Sequence, residues 1–305
     1  MEGAARFLGE MALYTVVLPL TTVAVITLVG RRFGRDLGGL AVLAAVLASG
    51  VGILGWPLPP HDAHHWIIVA VVPAGLAGFG LQRMAPAAPL TWKCVLASIL
   101  LVGSAWCLLA PLAGVWEKGA VGPLSRTAWV VDPLAWALVA WLAVDHAERN
   151  APRPAVLGAL VVALTAGALV AAMGETARIG QMLGAIAAAC GALALITWKW
   201  PDEVSLGHGG VAVVMLAFTM LLLYAHFYAA APRPGAGLTM AIPVTAVAAI
   251  GMVSTWKAVL RVVVLALIPA VGVGYLAKAA SDDKAAEQKP KSKDEQDALD
   301  MYDMY

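Results

Sequence analysis

The stretch GGVAVVMLAFTMLLLYAHFYA, residues 209–229, decides the fold. It holds no Asp, Glu, Lys or Arg, and a run of that length without charge reads as a membrane span rather than a soluble core helix. About 20 apolar residues in an α-helix cross a hydrocarbon core about 30 Å thick, and a helix satisfies its own backbone donors and acceptors where lipid offers none. Working outward, comparable runs occur at 11–30, 37–55, 66–82, 93–115, 129–145, 154–173, 179–198, 236–255 and 258–277. The last two are divided only by a turn around Trp256 and Lys257, so the sequence predicts nine or ten spans. The expected fold is an all-α, polytopic helical bundle over residues 1–277 with a charged tail at 278–305.

Composition agrees with this reading. Of 305 residues, 61% are hydrophobic and 13% charged, with a mean hydropathy of +0.82, which excludes an ordinary water-soluble domain. Lys and Arg number 20 against 19 Asp and Glu, leaving no basic surplus to hold nucleic acid. Cys94, Cys107 and Cys190 all sit in apolar runs and have neither a disulfide pattern nor metal spacing. The tail beyond Lys278 is polar enough to predict disorder. It ends in Met301-Tyr302 and Met304-Tyr305, which read either as a short docking motif for a partner subunit or as a solubilising end.

The first run lacks a strongly basic leader and is followed by Arg31, Arg32 and Arg35, so it reads as an uncleaved anchor with its N-terminus outside. Alternating the connections from there places 10 Lys and Arg of the body inside and 5 outside. Trp56, Trp92, Trp198 and Trp200 fall at predicted span ends, where an indole is half in lipid and half wet; Trp106 and Trp136 fall within spans. Glycines four residues apart, as at Gly180 and Gly184 or Gly34 and Gly38, permit close helix contact. Ala151-Pro152-Arg153-Pro154 recurs at 231–234, each copy preceded by a histidine, which hints at an inverted repeat.

The most unusual connection is GWPLPPHDAHHW, residues 55–66, on the predicted outer side. His61, His64 and His65 with Asp62 fall at helical i, i+3 and i, i+4 spacings, the residue types that bind transition metals or pass protons. The topology brings Glu175, Arg178 and His226 to the same level, so His61, Asp62, His64, His65, Glu175, Arg178 and His226 form a candidate ion or proton vestibule. The plainer reading is that the histidines wet a loop and Glu175 pairs with Arg178. Asp132, before Pro133, is expected to cap the fifth span; Lys93, near an inner end, is expected to snorkel to the surface. Proline interrupts several spans, Pro19 and Pro73 among them. No zinc-protease, nucleophile-elbow or phosphate-loop motif is present, so nothing points to catalysis and no cofactor is clearly implied.

In the segments 175–185 (ETARIGQMLGA), 224–229 (YAHFYA) and 56–66, the chain resembles uncharacterised bacterial polytopic membrane proteins. The resemblance implies an integral inner-membrane protein and brings no activity, substrate or cofactor. Scarce buried charge and the terminal Met-Tyr pairs favour a structural or accessory subunit that meets the lipid bilayer and other membrane-protein subunits. A transporter or channel for a small solute or ion is the alternative.

Overall fold

The computed structural model describes residues 9–84, 89–112, 123–173 and 177–228. The predicted ninth and tenth spans, the tail with its Met-Tyr pairs, the second Ala-Pro-Arg-Pro and Glu175 lie outside them. Among the described residues there are eight helices and no strands: α1 (Gly9–Arg32), α2 (Gly38–Leu54), α3 (His65–Met84), α4 (Leu90–Leu109), α5 (Pro123–Asn150), α6 (Arg153–Met173), α7 (Ala177–Lys199) and α8 (Gly207–Tyr228). They correspond to the first eight predicted runs. Five, α1, α3, α4, α7 and α8, are long and apolar enough to cross a membrane, and α2 is a shorter apolar helix. The chain is an all-α, multi-pass membrane protein.

Local chemistry sets the helix ends. Gly34 (φ +62°) and Gly55 (φ +93°) take the left-handed backbone that closes α1 and α2. Asp36 Oδ1 accepts the Gly38 amide at 3.1 Å and so caps α2. Pro19 has no N–H to return to the Thr15 carbonyl, and the one wide π turn, Leu13–Val17, sits where that bond is missing. Two expectations are corrected here. α5 begins at Pro123, which puts Asp132 inside the helix instead of at its cap. The same helix runs on to Asn150, five residues past its expected end, and so carries Glu148 and Arg149 on helical rather than loop backbone.

Packing is organised around α8, which contacts α2, α3, α4, α5, α6 and α7. Every residue from Gly209 to Leu223 is buried, the environment that a helix apolar on all sides requires. By contrast α1 buries only Pro19, Val23, Thr27 and Gly30, a single stripe laid on α2 and α7. The outward faces are apolar: Ile99, in the middle of α4, is 64% exposed, and Val102 and Trp106 share the exposed side of that helix. Lipid is the solvent those faces fit. Trp56, Trp92 and Trp198 are exposed at helix ends, at headgroup level.

Side-chain-free crossings let α8 sit this deep. A Cβ on Gly78 would lie 2.7 Å from Gly209 Cα and 2.8 Å from the His208 carbonyl, and one on Gly39 would meet the Leu206 carbonyl and the Gly210 amide. Gly180 packs on the Ala168 carbonyl of α6, and Gly184 faces the Thr15 methyl. Gly34 faces open space and serves the turn rather than a contact. Gly78→Ala is therefore expected to cost about 1–3 kcal/mol, as overpacking does, in thermal unfolding of the detergent-solubilised protein. Gly103→Ala, where nothing lies within 4 Å, should be neutral or stabilising by up to about 1 kcal/mol; a Gly78 variant as stable as the parent would refute the close crossing.

Candidate functional site

Two groups of polar side chains lie at opposite ends of the bundle. The first surrounds the start of α8. Lys93 in the first turn of α4, and Asp145 and Glu148 near the end of α5, are each only 6% exposed. Burying such groups is costly unless they are paired, and each partner can be named. His208 Nδ1 bonds Asp145 Oδ1. Lys93 Nζ lies 3.5 Å from Asp145 Oδ2 and 3.4 Å from His208 Nε2. Arg149 Nη2 reaches Asp145 Oδ2 at 3.0 Å from the next turn of α5.

This pattern assigns the proton on His208. With Asp145 accepting at Nδ1, the ring carries its hydrogen there, and the Nε2 lone pair accepts from the Lys93 ammonium. Glu148 plays another part. Its Oε1 accepts the amides of Leu206 (2.8 Å) and Gly207 (3.3 Å), capping α8 from a different helix, while its Oε2 is buried with no hydrogen-bond partner. Asp36 accepts from both the amide and the hydroxyl of Ser205, and Arg153 Nη1 donates to the carbonyls of Pro201 and Val204 (3.0 Å for the latter). The loop into α8 is thus pinned by the turn before α2, by α5 and by α6 together.

None of Asp145, Glu148 or His208 was singled out in the sequence, and Lys93, expected to snorkel, is instead paired in the interior. A signal was present. Asp145, Glu148 and Arg149 stand at i, i+3 and i+4, one helical face, provided the helix is carried past residue 145.

The second group holds the predicted vestibule. Ligand atoms of Asp62, His64 and His65 lie within 4.8 Å of one another. The His64 ring meets His65 edge-on at 4.5 Å and Tyr224 of α8 at 6.1 Å, and Tyr224 stacks on Tyr228 at 4.8 Å. Arg178 is near enough to act on the charge of His64. His226, two residues from Tyr224 and so about 200° round the helix, packs on Phe227. His61 contributes its backbone: its amide and that of Asp62 donate to His65 Nδ1 at 3.3 and 3.4 Å, while His65 Nε2 donates to the Leu54 carbonyl at 3.3 Å.

His65 therefore staples the 55–64 loop to the end of α2 with both ring nitrogens engaged. Asp62 and His64 remain as ligand donors, against the three or four protein groups that a zinc-type centre uses, so a metal would have to break the staple. No family model matches this chain, and no curated protein matches it.

Two predictions follow from these groups. Asp145→Ala would leave Lys93 buried without its carboxylate and is expected to destabilise the fold by about 3–5 kcal/mol, the usual cost of breaking a buried pair, read by denaturation in detergent. At the other end, burial, and then His65, hold the His64 imidazole below its ordinary value of 6.5 against the pull of Asp62. The unfolded chain takes up that proton near pH 6.5 and the folded chain only at lower pH, so the contribution is intact above 6.5 and is lost as pH falls from there through the folded value. The melting temperature should drop across that window, and His64→Gln should flatten the drop; an unchanged slope would refute the assignment.

Proposed function

We propose that this membrane protein is a transporter or channel for a small solute or ion, with Lys93, Asp145 and His208 as its ion-handling site. The observation that supports the reading is a cluster of ionisable groups from three helices, buried against the first turn of the most buried helix. Charge inside a membrane bundle is expensive and characteristically marks ion or proton pathways.

The geometry couples proton binding to position. A proton added at His208 Nε2 removes the lone pair that accepts from Lys93 and leaves two cations 3.4 Å apart. Lys93 must then withdraw, toward Asp145 Oδ2 or out of the cluster. His208 is the second residue of α8, so a change at its ring acts on the helix that touches most of the others. The excess of basic residues at this end supports placing it on the cytoplasmic side of a bacterial inner membrane, with the N-terminus outside. An accessory-subunit role was favoured by scarce buried charge, and Lys93, Asp145 and Glu148 weaken that premise.

The test is ion flux in liposomes holding the purified chain and a pH-sensitive dye. An imposed gradient of H⁺, Na⁺ or K⁺ should decay faster than in protein-free liposomes. His208→Asn keeps an N–H facing Asp145 but cannot titrate, and should slow the decay at least about tenfold, equivalent to about 1.4 kcal/mol in the barrier. Equal rates for parent and variant, or no flux above empty liposomes, would reject the reading; a stoichiometric partner copurifying from native membranes would favour the accessory role.

A further inference from the structure

A cleft of about 500 Å³ opens on the other side of the α8 start, between α2, α3 and the loop that precedes α8. Its walls include Leu40, Leu76 and Phe79, and its polar rim includes Gln82, Arg83 and Asp36. These polar groups differ in what they have left to give. Asp36 is engaged by the Gly38 and Ser205 amides and by the Ser205 hydroxyl. Gln82 lays its carboxamide against Gly207, where only a glycine leaves room. Among the described residues, the side chains of Gln82 and Arg83 have no hydrogen-bond or ion-pair partner. The cleft therefore offers an uncommitted cation and an uncommitted amide donor beside an apolar wall.

Its position identifies the occupant. Arg83 closes the candidate span His65–Arg83, which places it at the level of the headgroups. Leu76, two turns deeper on α3, is 61% exposed on the lipid-facing surface, so the cleft opens sideways into the bilayer. A free solute would meet hydrocarbon at that opening, whereas a phospholipid has an anionic head and acyl chains at the matching depths.

We propose that this cleft binds one anionic phospholipid of the adjoining leaflet. Its phosphate takes Arg83 and the Gln82 carboxamide, and an acyl chain lies along Leu76 and Phe79. Because the lipid would press on Gly207 through Gln82, it would brace the α8 start from the side opposite His208. The proposal stands apart from the transport reading, since it concerns lipid binding and is tested without flux.

The experiment is native mass spectrometry of the purified full chain, released from detergent with equal amounts of phosphatidylglycerol and phosphatidylcholine. The expected result is a one-to-one adduct that favours phosphatidylglycerol. Arg83→Ala should lower that preference about fivefold, the weight of one basic residue at a membrane surface, and Gln82→Ala about twofold, by the loss of a partly wet hydrogen bond. Arg35→Ala, a basic change outside the cleft lining, should leave it intact. Equal retention of the two lipids, a preference unmoved in both cleft variants, or its loss on adding millimolar inorganic phosphate would overturn the proposal, the last by making the site one for a free anion.

Discussion

A helix buried on all sides must still begin somewhere, and its first amides have no partners within the helix. For α8 that beginning is packed against α5, with Leu206 buried. A carboxylate from another helix solves the problem: Glu148 accepts the Leu206 and Gly207 amides and meets the positive end of the α8 dipole. Much else follows from this one contact. Placing Glu148 there fixes the end of α5, which brings Asp145 to His208 one turn away. Asp145 then requires cationic company, supplied by Lys93 and Arg149.

The two ends of the bundle meet the same constraint with different chemistry. At the His64 end a single imidazole does the stapling: His65 accepts two amides and donates to one carbonyl. At the Asp145 end the work falls to full charges, which hold more donors but respond to protons and ions. Both ends carry charge, Asp62 and Arg178 at one and Lys93, Asp145 and Glu148 at the other, but the second set is buried, each 6% exposed, which is why the proposed function is placed there and not at the histidine-rich loop.

The fold was largely legible in the sequence, because the apolar runs that cross lipid are long and continuous, and the first eight match the eight described helices. The candidate site was less so. Hydrophobicity falls at residue 145, where the sequence predicts the end of α5, although the helix continues for another turn because its polar residues are paired within the bundle. That small displacement moved Glu148 and Arg149 into a supposed loop and hid the face they share with Asp145. His208 falls one residue before the predicted span 209–229 and so outside it, although the glycines beside it serve a close crossing with α3. Conversely, the histidines at 61–65 stood out by composition, and the bonds of His65 to nearby backbone are a tertiary detail that no spacing rule contains. Lys93 lies at a span end where a lysine ordinarily reaches water, and only the position of α5 explains why it turns inward.

The glycine crossings constrain how such a sequence is free to change. Gly39 and Gly210 face each other, as do Gly78 and Gly209, so a side chain gained on either member of a pair obstructs its partner's helix. Neither position in a pair can drift alone without separating α8 from the helix it crosses, and separation there would loosen the ionic cluster around His208 as well. Gly103 and Gly158, which face open space, carry no such obligation. Over evolutionary time the four crossing glycines should behave as one inherited unit, tied in fate to the charged residues they hold in place.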